Sequence, residues 1–283
     1  MDVYTLRHGG WDRRYRWYPA TVQSAPVVLF LHGTGGSAEW VESETGLAEA
    51  VRSRGFALAV PDALPTNPNQ PQRFLTNPQR WNDGSDWAGD PNYKGENDSE
   101  FLAALIRELP KRGADPKRVC VAGFSNGAGM TFRLAAEHPE LVAGIAPVAG
   151  LSWVTPLYLP KPIPTIYMIG DADPLVPLLG GPVQTPWALE FVDRPSVFSM
   201  LERWAAATGC QPIPNERIDR LGIRFQNYDS RKPGAQMQAI IIPNLGHHWP
   251  GGAGQMNPRI AGSKGSVVVG NEIILEFFKQ YAC

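Results

Sequence analysis

A short apolar run, a glycine-rich turn and a helical pattern follow one another in residues 118–138, RVCVAGFSNGAGMTFRLAAEH. The apolar run, Val119–Ala122, contains β-branched residues and predicts a buried strand. Residues 128–138 repeat apolar side chains at helical spacing and predict a helix. Between the two, the turn has the form G-x-S-x-G, which exposes a serine hydroxyl between a strand and a helix N-terminus. The turn therefore predicts that Ser125 is a nucleophile.

Strands and helices alternate along most of the chain. Two antiparallel edge strands are predicted first, at Tyr4–Arg7 and Arg14–Tyr18. Further strands are predicted at Pro26–Leu31, Phe56–Val60, Val119–Ala122, Gly144–Val148, Thr165–Ile169, Ile223–Tyr228 and Gln236–Ile242. The helices are predicted at Glu39–Arg54, Ser99–Lys111, Ala128–His138, Pro195–Ala207 and Asn271–Tyr281. This alternation predicts an α/β fold with a mostly parallel, doubly wound sheet and helices on both faces.

Length, composition and charge limit the number of domains and the kinds of binding partner that we expect. The chain has 283 residues, 43% of them hydrophobic, and a net charge of -1. We expect one domain over residues 1–283 with no large lid, as a monomer or homodimer. The balanced charge argues against binding to nucleic acid or to an anionic membrane.

No apolar stretch approaches the ~20 residues of a membrane span, and the first residues lack the apolar core of a signal peptide. The chain as written is therefore expected in the cytoplasm, or outside the cell if an export signal had been removed.

The three cysteines form no C-x-x-C pair. Cys120 lies in the strand before the turn and is expected to be a small buried apolar residue. Cys210 and Cys283 are the candidates for a single bridge. The small, odd number argues against a disulfide framework.

A nucleophilic serine needs a base that accepts its proton, and histidine is the usual base. Of the five histidines, three are assigned to other places: His8 to a hairpin turn, His32 to bracing a glycine loop, and His138 to a helix C-terminus. His247 and His248 remain, after the strand Gln236–Ile242. Adjacent residues in an extended chain point in opposite directions, so only one of them faces the serine. The residues themselves leave both histidines open.

The base needs a carboxylate that fixes its tautomer, and the chain order expected for such a turn is Ser, then Asp or Glu, then His. Asp171 and Asp173 follow the strand Thr165–Ile169 and compete for this role. A carboxylate directly at a strand end often caps the turn. We therefore favour Asp173, which lies further along, with Asp193 as an outside candidate.

The negative charge that forms after attack needs N–H donors already aimed at it. One is expected from the backbone of Asn126, the residue after the nucleophile. The other is expected from the loop at residues 32–36, HGTGG, and we assign it to the backbone of Thr34. This loop fits neither G-x-G-x-x-G nor a Walker pattern, which argues against phosphate binding.

Aromatic and acidic side chains in the loops suggest further sites. Four tryptophans lie in or beside loops at the carboxyl ends of strands and are candidates for binding an aromatic or polyester group: Trp40, Trp81, Trp187 and Trp249. Asp83, Asp86 and Asp90 share one loop but miss the spacing of a calcium loop. We therefore predict no metal and no cofactor.

Six motifs in this order resemble one family. They are LHGTGG at 31–36, RWNDG at 80–84, NDSEFLAALI at 97–106, GFSNGAGM at 123–130, GDADPLVP at 170–177 and GHHWPGG at 246–252. The chain resembles the α/β-hydrolase family of polyhydroxybutyrate depolymerase-like and feruloyl-esterase-like proteins, which is grouped with the carbohydrate esterases. The resemblance implies a serine esterase with Ser125 as nucleophile, Asp173 as acid and His247 as base. It also implies that Trp81 lines the substrate cleft.

The expected activity is hydrolysis of a carboxylic ester through an acyl-enzyme, with a small-molecule or polymeric ester as substrate. Feruloyl or other aryl esters lead, followed closely by short hydroxyalkanoate polyesters. Acetyl xylan esterase and peptidase are the alternatives within the enzyme class. A non-catalytic binding protein on a hydrolase scaffold is the rival from another class, and the three residue types in order argue against it.

Overall fold

The computed structural model describes residues 1–85, 97–187 and 191–282. Within these residues the strands are β1 (Asp2–His8), β2 (Trp11–Tyr18), β3 (Ala25–Leu31), β4 (Ala57–Pro61), β5 (Ala114–Phe124), β6 (Gly144–Val148), β7 (Thr165–Gly170), β8 (Gly181–Val183), β9 (Val192–Arg194), β10 (Asn215–Ile218), β11 (Arg224–Tyr228) and β12 (Met237–Ile242). One sheet of the described chain has the order β1-β2-β4-β3-β5-β6-β7-β12-β11-β10, and β8 pairs with β9 in a separate hairpin.

The centre of the large sheet is parallel and its margins are antiparallel. Strands β4, β3, β5, β6, β7 and β12 run parallel, and β1, β2, β11 and β10 add antiparallel pairs at the two edges. Every residue of β3 is buried, as expected for a strand covered on both faces. The predicted mostly parallel sheet is confirmed, and the carboxyl ends of its central strands meet at one edge.

Helices pack on this sheet in two groups. Within the described residues the α-helices are α1 (Ala38–Thr45), α2 (Leu47–Ser53), α3 (Asp98–Glu108), α4 (Asn126–Glu137), α5 (Val197–Thr208), α6 (Pro258–Ala261) and α7 (Gly270–Tyr281). Helix α4 packs against α3, and its Phe132 meets Trp204 of α5 edge-on. Helix α2 packs against α1 and α7. The long apolar stripes of α3 and α7 explain why these helices were predictable from spacing.

Several details differ from the expectations, and three of them have a local cause. The helix predicted at 39–54 is two helices, because Gly46 between them has a left-handed φ of +63° that ends α1. Strand β10 was not predicted, since all four of its residues are exposed and it shows no apolar alternation. The four-residue helix α6 is too short for a periodic pattern to reveal.

The cysteine expectations need correction. Cys210 is a buried free thiol, and burial raises its pKa to about 11. The suggested Cys210–Cys283 bridge is therefore wrong, and Cys283 itself lies outside the described residues. Cys120 is disulfide-bonded rather than a simple apolar side chain.

No helix among the described residues is long and apolar enough to cross a bilayer.

Candidate active site

The turn between β5 and α4 holds its serine in a strained conformation. Ser125 has φ +57° and ψ −119°, a region that side-chain-bearing residues rarely adopt. The turn is crowded by backbone: a Cβ on Gly123 would lie 2.3 Å from the carbonyl oxygen of Gly127. A Cβ on Gly127 would lie 2.1 Å from the carbonyl oxygen of Leu31 on β3. The two glycines of the motif are therefore required by close packing, and they fix Ser125 at the carboxyl edge of the sheet.

A chain of hydrogen bonds leads from this serine to a buried carboxylate. His247 Nε2 lies 2.9 Å from Ser125 Oγ, and His247 Nδ1 lies 2.7 Å from Asp173 Oδ2. The side chains of His247 and Asp173 are 2% and 0% exposed. Since the carboxylate accepts at Nδ1, the imidazole carries its proton there and presents a free Nε2 lone pair to the serine hydroxyl. The structure thus brings together the three side chains predicted from their chain order.

Two backbone groups hold the acid in place. Asp173 Oδ1 accepts hydrogen bonds from the N–H groups of Leu175 and Val176, each at 2.8 Å. Its other oxygen is left for His247. Asp171 instead accepts the N–H of Asn244 at 2.7 Å and caps the turn after β12. The structure separates the two candidates: Asp173 contacts the histidine and Asp171 does not.

His248 points away from the serine. Its Nε2 donates to the carbonyl of Gly262 at 3.2 Å, while its Nδ1 is buried without a partner in the described residues. Burial lowers the pKa of His248, and the Gly262 contact and the charge of Glu44 only partly oppose this. The neutral form is therefore favoured beside His247.

His32 braces the glycine loop, as its position in the sequence predicts. Its Nδ1 donates to the carbonyl of Gly33 at 2.7 Å, and its Nε2 accepts the N–H of Ala63 at 3.1 Å. Complete burial lowers the pKa of His32 and keeps the ring neutral. A neutral ring satisfies both contacts at once, which an imidazolium could not do.

The backbone predicted to bind the oxyanion lies against the serine. A Cβ on Gly33 would lie 3.1 Å from Ser125 Cβ, so the loop passes directly over the nucleophile. Thr34 and Asn126 line the same cavity as Ser125. Within the described residues, no hydrogen bond uses the backbone N–H of Thr34 or of Asn126. Both donors are therefore available to an oxygen bound beside Ser125.

Trp81 connects the glycine loop at residues 32–36 to Asn126, the residue after the nucleophile. Its N–H donates to Asn126 Oδ1 at 2.7 Å, and Asn126 Nδ2 returns a bond to the Trp81 carbonyl at 3.0 Å. The indole Nε1 donates to the carbonyl of His32 at 3.0 Å. These three bonds tie the glycine loop to the residue after the nucleophile.

A large apolar cavity of about 320 Å³ opens on one side of the serine. Its lining residues are Gly33, Thr34, Gly35, Gly36, Trp40, Phe74, Phe124, Ser125, Leu175, Trp187, His247, Gln255, Met256, Asn257 and Ile260. Trp40 stacks on Phe124 with ring centroids 5.5 Å apart, and Trp187 donates its indole N–H to the carbonyl of Phe74. The aromatic wall suits a flat apolar group.

A smaller cavity of about 60 Å³ opens on another side. It is lined by Thr34, Asp83, Ser85, Ser125, Asn126, Gly150, Leu151, Trp153, Leu175, Val176, Thr185, Trp187 and Arg194. The two cavities share Thr34, Ser125, Leu175 and Trp187, so they meet at the nucleophile. An ester whose carbonyl lies on Ser125 can therefore place one group in each cavity.

The four tryptophans divide into two pairs. Trp40 and Trp187 line the cavities, and their contact with substrate stays a prediction. Trp81 and Trp249 do not, and the expectation that they contact substrate is corrected: both are buried, with 0% and 1% exposure. Trp81 faces inward because its indole N–H donates to the carbonyl of His32. Trp249 faces inward because its indole N–H donates to Asn271 Oδ1 at 3.0 Å and its ring packs on Phe30.

Within the described residues, the loop that carries Asp83 holds no group of side chains that could bind a metal ion. Asp83 accepts the backbone N–H and hydroxyl of Ser85, which accounts for its burial. Asp86 and Asp90 lie outside the described residues.

Sequence reasoning missed most of the cavity walls. Phe74, Trp153, Arg194, Met256 and Ile260 belong to irregular loops or to short elements and carry no motif. Phe74 is held against the glycine loop, where a Cβ on Gly35 would lie 2.4 Å from its ring. Only the fold brings these separate segments together.

Comparison with known proteins identifies the family to which the chain belongs. A family model described as phospholipase/carboxylesterase matches residues 18–196, more than half of the chain. NocK of Nocardia uniformis subsp. tsuyamanensis, whose name assigns it to the esterases, is 32% identical over 273 residues, covering 90% of this chain and 75% of that protein. Feruloyl esterase B of Piromyces equi is 25% identical over 236 residues, covering 80% of this chain but only 40% of its own length.

Among solved structures, acetyl xylan esterase from Aspergillus awamori matches with a TM-score of 0.62 at 16% identity and covers 99% of both chains. At this identity the likeness concerns the fold alone, and it is the α/β-hydrolase fold. Together, the family match and the sheet that carries Ser125 at its carboxyl edge identify the chain as a member of the phospholipase/carboxylesterase family of α/β-hydrolases.

Proposed function

We propose that this protein is a serine carboxylesterase that works through an acyl-enzyme, with Ser125, His247 and Asp173 as its catalytic residues. The observation that carries the proposal is the hydrogen-bonded chain from Asp173 through His247 to Ser125, beside an open cavity. Metal and cofactor have no place in this mechanism. The related proteins named as esterases support the same reaction class.

In the proposed reaction, Ser125 Oγ attacks the ester carbonyl carbon while His247 Nε2 takes the hydroxyl proton. The carbonyl oxygen becomes an oxyanion that the N–H groups of Thr34 and Asn126 stabilise. The bond to the alcohol oxygen then breaks, and the imidazolium gives its proton to the leaving alcohol. Asp173 holds the imidazolium in orientation throughout.

Deacylation repeats these steps with water. His247 removes a proton from a water molecule that attacks the acyl carbon, the carbon–Oγ bond breaks, and the proton returns to Ser125. The products are a carboxylic acid and an alcohol, and the enzyme regains its starting state.

We further propose aryl esters, feruloyl esters among them, and short hydroxyalkanoate polyesters as the substrate classes. The aromatic wall of Trp40, Phe124 and Trp187 supports an aryl or compact apolar group in the large cavity. Parallel assays on methyl ferulate, 3-hydroxybutyrate oligomers and acetylated xylan rank these classes.

The reaction class is tested with a fluorophosphonate, which transfers its phosphonyl group to an activated serine and releases fluoride. The wild-type protein should label at Ser125, identified by mass spectrometry of the peptide. Ser125→Ala should not label. Ser152→Ala should label fully, because the Ser152 hydroxyl is buried, has no partner among the described residues and lines neither cavity. Absence of wild-type labelling would instead favour a non-catalytic binding protein on this scaffold.

A further inference from the structure

The small cavity contains an arginine that the proposed catalytic steps do not use. Arg194 ends β9 and lines the cavity together with Ser125. Its Nε is buried without a hydrogen-bond partner, and its guanidinium forms no ion pair within the described residues. The guanidinium faces the ring of Trp153, whose centroid is 5.6 Å from Cζ. A buried donor without an acceptor is costly, so an acceptor from a ligand would be favoured there.

Within the described residues, the carboxylate whose charge acts on this cation has other partners as well. Asp83 is the nearby carboxylate, and its Oδ1 already accepts from the N–H and hydroxyl of Ser85. Arg80 lies 4.0 Å from the same oxygen, and both side chains of that pair are buried. Within the described residues, Asp83 is therefore shared among Ser85, Arg80 and Arg194, and it makes no ion pair with Arg194. Burial lowers the pKa of Arg194, but a guanidinium stays protonated at any ordinary pH.

The position of His247 indicates which part of an ester faces Arg194. The leaving alcohol oxygen must reach His247 Nε2 to receive its proton. His247 lines the large cavity and not the small one. The alcohol group therefore extends into the large cavity, and the acyl chain extends from the carbonyl into the small one.

The volume of the small cavity limits the acyl chain. At about 60 Å³ it holds roughly four water molecules by the space that one water needs. A chain of a few heavy atoms fits this space. Among the substrate classes proposed above, this favours short acyl groups joined to aryl or arylalkyl alcohols over feruloyl esters.

We propose that Arg194 selects esters whose acyl chain is short and ends in a carboxylate, that is, half-esters of dicarboxylic acids. The terminal carboxylate accepts hydrogen bonds from the guanidinium and takes no part in bond making or breaking. The apolar alcohol occupies the large cavity. This specificity rests on the proposed serine esterase activity and adds a substrate class to it.

Two substrates of equal acyl length test the proposal: benzyl hydrogen succinate and benzyl butyrate, which differ by a carboxylate in place of a methyl group. Benzyl succinamate adds a neutral group of the same shape. Hydrolysis is followed by release of benzyl alcohol at pH 7.5. We expect kcat/KM for the succinate half-ester to exceed that for the butyrate by roughly 10- to 100-fold, the range for charge-assisted hydrogen bonds, with the succinamate between them.

Variants identify the residue responsible. Arg194→Met should reduce the succinate-to-butyrate ratio of kcat/KM to near one, mainly through a higher KM for succinate. Arg194→Lys keeps the charge but loses the planar fork, and should retain part of the preference. Arg220→Met, in the exposed turn between β10 and β11, is the matched control and should retain the wild-type ratio.

The succinate-to-butyrate ratio of the wild-type protein is by itself sufficient to overturn the proposal, and two further results would contradict parts of it. If the wild-type protein hydrolyses benzyl butyrate as fast as the half-ester or faster, Arg194 does not select carboxylated acyl groups, although the esterase activity stands. An unchanged ratio in Arg194→Met overturns the assignment of the residue. If carboxymethyl butyrate, with its carboxylate on the alcohol side, is preferred to benzyl hydrogen succinate, the orientation is wrong. Absence of any turnover together with absence of fluorophosphonate labelling would contradict the proposed function itself.

Discussion

The two sides of Ser125 are built in opposite ways. On the polar side, His247 and Asp173 are almost fully buried, and each polar atom that orients them has a defined partner. On the aromatic side, Phe74 is 47% exposed and Trp40 and Trp187 are partly exposed. This side offers area and shape with few fixed hydrogen bonds.

This difference indicates how each side would contribute to turnover. Buried, fully bonded groups are preorganised, so a change there removes stabilisation of the transition state. Apolar walls bind substrate and transition state about equally, so a change there mainly alters KM. We therefore expect substitutions on the polar side to lower kcat by orders of magnitude and those on the aromatic side to have modest effects.

The largest expected effect comes from removing the nucleophile on the polar side. Ser125→Ala should lower kcat/KM for p-nitrophenyl butyrate by at least ~10³-fold, because the acyl-enzyme cannot form. The free energy of unfolding should not fall, since the substitution removes only one partly exposed hydroxyl. Steady-state kinetics and urea unfolding measure the two quantities. A variant with near wild-type turnover would refute the assignment.

The two aspartates after β7 sharpen the contrast, because they lie two residues apart and differ in what they contact. Asp173→Asn should lower kcat by roughly 10³- to 10⁴-fold, since the amide cannot stabilise the imidazolium or fix its tautomer. Asp171→Asn is the matched control. In the described part of the chain the Asp171 carboxylate accepts the N–H of Asn244 and has no contact with His247, so the kcat of this variant should stay within a few-fold of wild type. Equal losses in the two variants would contradict the role given to Asp173.

Two tryptophans predicted for the same role provide the next test. Trp187→Ala removes part of the aromatic wall and should raise KM for a benzyl ester by roughly 3- to 30-fold with little change in kcat. Trp81→Phe removes the buried donor to the His32 carbonyl. It should reduce the free energy of unfolding by about 1–3 kcal/mol and lower kcat rather than raise KM. If Trp81→Phe instead raised KM as Trp187→Ala does, Trp81 would be a cavity residue after all.

The smallest expected effect is on the free energy of unfolding at low pH, through His248 beside the polar side. The pKa of His248 lies below the ordinary value of 6.5 because burial disfavours its charged form. Below about pH 6.5 the unfolded chain therefore binds a proton that the folded protein does not, so stability falls as pH falls through this window. The slope from one such group is at most ~1.4 kcal/mol per pH unit.

His248→Gln isolates this contribution, because glutamine keeps a donor for the Gly262 carbonyl and does not titrate. Urea unfolding between pH 5 and pH 8 should give a shallower loss of stability in the variant than in the wild-type protein. The buried His32, whose pKa is lowered for the same reason, should keep part of the slope in both. Parallel curves for the two proteins would show that His248 does not titrate on unfolding.

Local patterns account for the parts of the molecule that were predictable. Strand β6 was predicted with its observed bounds, because a buried parallel strand is a continuous apolar run. The turn around Ser125 was recognisable because close packing permits only glycine at 123 and 127. The split at Gly46 and the exposed strand β10 were missed, since neither changes the apolar periodicity of its segment.

Side-chain direction was not predictable in the same way. Trp81 and Trp187 both lie in loops beside the site, yet the first bonds to His32 inside the protein and the second lines both cavities. Residue type and spacing left the adjacent His247 and His248 both open, and the family resemblance implied His247. The contacts of His247 with Ser125 and of His248 with Gly262 show the two directions. Composition and spacing do not contain this information, because it depends on which distant segments supply the partners.

The amino-acid sequence by itself determined the fold class, the glycine-flanked nucleophile and the order of the three candidate catalytic residues, since each depends on residue type and local spacing. The family resemblance implied His247, and the structure shows its contact with Ser125. The tertiary structure alone decided which tryptophans line the cavities and that Arg194 lines a small cavity beside the nucleophile. The physical reason is that a cavity is formed by segments far apart in the chain, and its shape and charge arise only when those segments pack together.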